Sequence, residues 1–258
     1  MHAHLNIALR AARDAAEAIA HASDRLDRIK VIDKQPESFL TSMDQEADNT
    51  IHYHLKKAFP SHAVHSRVSG HHPGENGEPT WLVDPLVGSR NFFYGYPQFG
   101  VSIAKESEGV VTHAVLLSPL IGDEFTAIRG DGALLNSRRI RVAESKELLD
   151  TLIGVDQAKI SPELFGRLTQ ILLQSGAELR QSGCSPLDIV HVAAGRLNGG
   201  WCMFPNSLSL AAANLILTEA GGLVGNESGN PELEEGHELI CGNPKIFKQL
   251  TIMRQRVT

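Results

Sequence analysis

Four β-type runs follow one another at 98–106, 110–118, 123–129 and 138–143, and helical patterns flank them on both sides. Strands then helices, repeated in the second half, require α and β layers stacked on one another. Before this run, residues 4–22 place Leu5, Ala8, Ala12, Ala15 and Ile19 at steps of three and four. That spacing predicts a helix with a small-residue face suited to close packing. A second helix is predicted from Ser42 as N-cap, with Gln45 three residues on, and Ala47, Ile51 and Leu55 carry it until Pro60 stops it. Residues 61–80, rich in Gly, Pro, His and Ser, read as a long loop or hairpin, and Trp81 to Asp84 as a short buried strand. Asp131-Gly132 is expected to turn the chain between the last two β runs.

The second half alternates: strand 151–155, helix 161–175, strand 178–182, then a helix opening at Ser185 with Pro186 at its first position. Strand 199–204, helix 208–220 ended by Gly221-Gly222, strand 223–226 and a final helix from Asn243 complete the pattern. The change in pattern divides the chain into an N-terminal α+β half, 1–147, and a C-terminal α/β half, 148–258, together one compact unit.

Composition closes off several function classes. No run approaches the roughly 18 apolar residues of a membrane span, and the N-terminus lacks the basic flank and apolar stretch of a signal peptide. Cys184, Cys202 and Cys241 are odd in number and widely separated, as expected for reduced thiols in a cytoplasmic protein. A net charge of −6 argues against strong direct nucleic-acid binding. Arg138-Arg139-Ile140-Arg141 reads as the exposed face of a strand rather than an RNA-binding stripe. The pairs His52/His54, His62/His65 and His71/His72 match no zinc spacing with cysteines and read as surface or core histidines.

Four ordered blocks carry a resemblance. Trp81-Leu82-Val83-Asp84-Pro85-Leu86-Val87-Gly88-Ser89-Arg90-Asn91-Phe92 is similar to the Asp-Pro-[Leu/Ile]-Asp-Gly-Thr-x-Asn-[Phe/Tyr] signature of the inositol monophosphatase family. Gly130 to Asn136 resembles the family's Gly-x-Gly-Ala-x-x-Asn-Gly turn, Leu187 to Arg196 its Leu-Asp-x-x-x-Val-Ala-x-Gly helix, and Ala211 to Gly222 its Glu-Ala-Gly-Gly block. The opening Leu5 to Arg13 resembles the bacterial SuhB-like branch. The resemblance implies a layered α-β-α-β-α sandwich of the inositol monophosphatase and sugar phosphatase type, within the α/β (α+β) class, commonly a homodimer.

It also implies a reaction, the Mg²⁺-dependent hydrolysis of a phosphate monoester. Yet the carboxylates are depleted. Arg67 stands where a Glu-Glu-Ser-Gly turn supplies a metal-binding glutamate, Val87 replaces the signature's second aspartate, and Ser209 falls where a Trp-Asp pair supplies another. Cys202 occupies the position of a substrate-binding glutamate. What remains is Asp84, the Leu86 carbonyl, and Ser89 in place of threonine. Lys34 and Asp44 also match site-lining positions; each has an equal alternative, Lys34 as a solvated loop lysine and Asp44 as an acid in a helix's first turn.

Losing a water-orienting acid costs about 10²–10⁴ in rate, and losing the ions removes a larger electrostatic contribution. The expectation is therefore a catalytically inactive member, a pseudophosphatase, with no cofactor and no bound metal. The Arg67 guanidinium is expected to occupy the vacated metal position and pair with Asp84, with Asp44 left open as a second partner. Gly88, Ser89, Arg67 and Arg90 remain candidates for binding a phosphate without turnover. The resemblance to the SuhB-like branch implies transcription-factor or other protein partners, in ribosomal RNA transcription antitermination. Two alternatives stay open: a Mg²⁺-dependent inositol or sugar phosphate monoester hydrolase of altered activity, and a phosphate or sugar-phosphate sensor.

Overall fold

A helix whose buried face is alanine can be approached closely, and the first packing contact follows from that. In a computed structural model describing residues 3–35, 39–203, 206–234 and 236–257, α1 (Ala3–Ser23) buries Ala8, Ala11, Ala12, Ala15 and Ala16. The strands β1 (Val31–Lys34) and β2 (Phe39–Thr41) pair antiparallel and lead into α2 (Ser42–Ala58). Met43, Ala47, Ile51 and Leu55 of α2 share one core with the alanine face of α1. The N-cap is Thr41, one residue earlier than expected. Its hydroxyl accepts from the amides of Met43 and Asp44, and the Asp44 carboxylate takes the Thr41 amide, so the box closes on Asp44 rather than Gln45.

Residues 61–80 form more than a loop. β3 (Ala63–Ser66) and β4 (Gly70–His72) make an antiparallel hairpin, and β3 also pairs parallel with β5 (Thr80–Val87). β5 is twice the length of the expected Trp81–Asp84 strand because burial continues through Val87. The short α3 (Ser89–Phe93) follows. Then β6 (Gly100–Ser107), β7 (Val110–Ser118), β8 (Asp123–Ile128), β9 (Gly132–Leu135) and β10 (Arg138–Arg139) pair antiparallel in succession. The expected strand 138–143 is thus reduced to two residues. The reason is an unforeseen hairpin at Asn136–Ser137, both with left-handed φ (49° and 64°), which pairs β9 with β10. Asp131-Gly132 turns β8 into β9 instead. Arg138 and Arg139 are exposed on this last strand.

The remaining elements are β11 (Leu152–Val155), α4 (Pro162–Gln174), β12 (Glu178–Arg180), α5 (Ser185–Ala193), β13 (Gly199–Met203), α6 (Ser207–Glu219), β14 (Leu223–Gly225), β15 (Glu238–Gly242) and α7 (Pro244–Gln255). Pro186 takes the second position of α5, not the first, because Ser185 already opens it. Phe204, the expected end of strand 199–204, lies outside the described residues. β15, a buried five-residue interior strand, was not expected at all.

Strands β3 to β10 form an eight-stranded sheet in the order β10-β9-β8-β7-β6-β5-β3-β4, and β11 to β15 a five-stranded one in the order β12-β11-β13-β15-β14. Helices α1 and α2 cover one face of the larger sheet around Trp81, Phe92 and Phe99. Helices α5 and α6 fill the space between the two sheets, and α4 and α7 cover the outer face of the smaller one. The result is the α-β-α-β-α sandwich.

Candidate functional site

Parallel pairing of β3 with β5 brings two distant segments side by side. Ser66 registers with Val83, and the Arg67 amide donates to the Val83 carbonyl at 2.9 Å. The Ser66 hydroxyl accepts from the Val68 amide at 3.0 Å and donates to Asp48 of α2. With the turn held at both ends, the Arg67 side chain crosses toward Asp84 on the neighbouring strand.

Asp84 lies before Pro85, where the β5–β6 register shifts between Asp84 and Val87. Proline cannot donate to a ladder, so the irregularity falls there. Arg67 Nε donates to Asp84 Oδ1 at 2.7 Å, and Nη2 donates to Asp44 Oδ1 at 2.6 Å. Nη2 also reaches the Leu86 carbonyl and Ser89 Oγ, each at 3.1 Å. Asp84 Oδ2 accepts a hydrogen bond from Ser209 Oγ at the start of α6. Ser89 Oγ lies 2.5 Å from Asp44 Oδ1 and 2.8 Å from the Leu86 carbonyl, and its single proton serves one of them at a time. Asp44 Oδ2 accepts from the Thr41 hydroxyl at 2.7 Å and the Thr41 amide at 2.8 Å. Asp44 therefore closes the helix cap with one oxygen and faces the Arg67 cluster with the other.

This is a closed network. The Asp44 side chain is fully buried, that of Asp84 is 3% exposed and that of Arg67 21%. Burial works against the guanidinium charge, but the carboxylates of Asp84 and Asp44 outweigh it, so the Arg67 pKa stands above the ordinary arginine value. One cation faces two buried carboxylates, leaving the cluster with a formal charge of −1.

The donor set does not fit magnesium. Mg²⁺ demands a near-octahedral shell of oxygens, whereas here the oxygens of Asp84, Asp44 and Leu86 that converge on one point are already hydrogen-bonded to Arg67. Val87 turns into the core between the sheet and α5, and Ser209 brings a hydroxyl to Asp84 where a carboxylate would repel it. Among the described residues no group of three or more His, Cys, Asp or Glu is arranged to hold a metal ion.

The other expected site residues are dispersed. Cys202 is buried against α5, where burial pushes its thiol pKa well above the ordinary value and a Ser185 hydrogen bond opposes that only in part. Gly88 caps α3 with φ +79°; a Cβ there would lie 2.7 Å from the Gln98 carbonyl, so only glycine fits. Arg90 turns away to the β1–β2 sheet, donating to the Gln35 carbonyl at 3.3 Å with its guanidinium 5.4 Å from the Phe39 ring centre. Lys34 is exposed on the same sheet, opposite Phe39. Thr41 is the member that sequence reasoning missed. The Thr-x-x-Asp spacing from Thr41 to Asp44, a capping-box pattern, is the signal that would have found it.

The family profile described as "Inositol monophosphatase family" matches residues 1–257. The Nus factor SuhB of Pseudomonas aeruginosa is 41% identical over 258 residues, an alignment covering 97% of this chain and 95% of that protein. The Nus factor SuhB of Pasteurella multocida is 34% identical, with 97% and 95% covered. The crystal structure of the extragenic suppressor protein suhB from Bartonella henselae superposes with a TM-score of 0.94 at 30% identity, covering 99% of both chains. The Thermotoga maritima IMPase superposes with a TM-score of 0.89 at 25% identity, covering 98% of this chain and 97% of that one. Sequence and architecture agree along the whole length: the chain belongs to the inositol monophosphatase family and is a SuhB-like member of it.

Proposed function

We propose that this chain has lost metal-dependent phosphate ester hydrolysis and acts as a regulatory, protein-binding member of its family. One observation carries the reading: the Arg67 guanidinium sits bonded between Asp44 and Asp84 and takes the Leu86 carbonyl as well. A tethered cation of this kind satisfies the buried acids permanently and leaves no shell for an exchangeable ion. It supplies neither a bound water to activate nor the divalent charge that offsets a transferring phosphoryl group. The name Nus factor, borne by the relatives, supports transcription-related partners. The reading includes a homodimer, as the family resemblance implies, in the cytoplasm, as the three unpaired cysteines suggest. No described helix is long and apolar enough to cross a membrane.

The sensor alternative fares worse on charge. An entering phosphate would meet two carboxylates around a guanidinium already bonded to both, and Arg90 is engaged elsewhere. The test is turnover of inositol 1-phosphate and of an aryl phosphate, with and without Mg²⁺ at roughly millimolar concentration, a range suited to weak carboxylate sites. No Mg²⁺-dependent release of phosphate is expected. Turnover that vanishes in Asp84→Ala would restore the hydrolase reading, and phosphate binding without turnover would restore the sensor.

A further inference from the structure

On the outer helical layer, away from the Arg67 cluster, α4 and α7 leave a groove of about 640 Å³. Its walls include Leu149, Ile171, Ser175, Ile252, Met253 and Arg256. Leu149 is 68% exposed and Ile252 38%, and the two share the lining of this one groove. Leu149 is nevertheless held in place. Its Cδ1 occupies the space beside Gly176, where a Cβ would come within 2.5 Å, and the next residue, Asp150, donates its amide to the Gly176 carbonyl at 3.1 Å.

Charge distinguishes this groove from a merely greasy surface. On α7 the wall residues Gln249, Ile252 and Met253, with Arg256 at its C-cap, recur at helical spacing, and Lys245 and Lys248 extend the same face by one turn. On α4, Ile171 lies one turn before the C-cap Ser175, and exposed Arg167 one turn before Ile171. α7 carries no acidic side chain. Glu147 is the acidic residue on the lining, against Arg256 within it and Arg167, Lys245 and Lys248 beyond its ends. In a chain of net charge −6, the groove and the next turn of each helix carry more basic than acidic side chains, and Glu163 lies a further turn out on α4. The pattern along α7 is basic, apolar, basic.

We propose that the α4–α7 groove docks an amphipathic helix of a partner protein, with an apolar stripe in its middle and acidic residues at its ends. An apolar trough between two helices accepts a helix through anchors spaced three and four residues apart, and the flanking bases select acidic partners and speed their encounter. At 12 residues, α7 is about 18 Å long, enough to lie beside roughly three turns of a partner. A recessed trough suits a helix better than a bilayer, which needs a protruding apolar face. The inference is independent of the loss of hydrolysis, since an active enzyme could carry the same groove.

The test uses the full chain and two fluorescent peptides of about four helical turns, sharing one leucine stripe. One has glutamates at both ends, the other lysines. Anisotropy should show saturable binding of the glutamate-ended peptide, about tenfold or more tighter than the other, a difference of about 1.4 kcal/mol. Ile252→Glu should weaken it about tenfold while leaving the near-ultraviolet circular dichroism unchanged, and Leu149→Ser serves if that variant misfolds. Paired Lys245→Glu and Lys248→Glu should reverse the preference. Equal binding of both peptides, or undiminished binding by both apolar variants, would overturn the proposal. So would association with anionic vesicles in place of peptide binding, which assigns the face to lipid. Loss of a dimer in Ile252→Glu would overturn it too, assigning the face to a second copy of the chain.

Discussion

Arg67 and Arg254 both carry a guanidinium into the interior, and they do so with different charge balances. Arg254 of α7 meets Glu238 of β15 through two parallel hydrogen bonds, Nε to Oε2 at 2.7 Å and Nη2 to Oε1 at 2.6 Å. The Trp201 indole N–H adds a third bond to Glu238 Oε2 at 2.7 Å. One acid matches one base, in the fork geometry that guanidinium and carboxylate share, and the pair ties a helix to a strand. Arg67 instead divides its donors between Asp44 and Asp84, which come from different layers. Tying elements together requires one acid per base; a second buried acid only adds desolvation. The excess carboxylate at Arg67 supports the proposed function, in which a tethered cation takes the place of the metal charge that the family resemblance implies.

The largest expected effect is at Arg67. Arg67→Ala strands two buried carboxylates and should cost about 3–5 kcal/mol in chemical denaturation. Millimolar Mg²⁺ should then raise the melting temperature of the variant and leave the wild type unchanged. An equal response in both would break the comparison, because the acids would not be sealed by Arg67. Arg254→Ala should also destabilise, toward the lower end of about 3–5 kcal/mol, since Trp201 still serves Glu238. No response to Mg²⁺ is expected there, and a thermal shift on adding it would count against the contrast.

Asp188 sharpens the same comparison, as a buried carboxylate with no arginine bonded to it. Its Oδ2 accepts from Ser182 Oγ at 2.8 Å. Burial pushes its pKa from 3.8 up to about 7, with the neighbouring charge of Asp156 adding to the rise and the Ser182 bond opposing it. The folded state therefore holds this proton more tightly than the unfolded one. Its stabilising contribution is complete below the unfolded value and is lost as pH rises through about 7. Relative to Asp188→Asn, the wild type should lose up to about 1.4 kcal/mol per pH unit across that window, measured by urea melts at pH 5, 6 and 7 (roughly even steps through the transition). Parallel curves for the two proteins would show that the acid is charged throughout. The smallest effect concerns the cap: Thr41→Ala should cost about 1 kcal/mol, and a urea midpoint identical to the wild type would mean that the Thr41 hydroxyl adds nothing to the cap.

Much of this architecture is legible in the chain. The β runs from residue 98 onward, the alanine face of α1 and the Gly221-Gly222 stop after α6 all announce themselves through period and punctuation. Short elements do not. β9 and β10 span four and two residues and depend on a left-handed Asn136–Ser137 turn that lacks the glycine signal. β15 is a buried run of five whose strand character comes from its neighbours β13 and β14 rather than from its own composition. In the site, the motifs raise the expectation that Arg67, Val87 and Ser209 stand at carboxylate positions, while the fate of Arg90 is not visible in them. A surface arginine has many partners within reach, and only packing selects the Gln35 carbonyl and the Phe39 ring.

By itself the sequence determined the layer order and the family, and it set the expectation that a cation, a hydrocarbon and a hydroxyl stand at acidic positions. The tertiary structure decided where that cation goes. Arg67 lies 17 residues from Asp84 and 23 from Asp44 along the chain, separations at which local preferences carry no information. What joins them is the parallel register of β3 on β5 and the cap at Thr41. Hydrogen bonds act over about 3 Å, so their partners are chosen by how strands and helices pack, not by how residues are spaced.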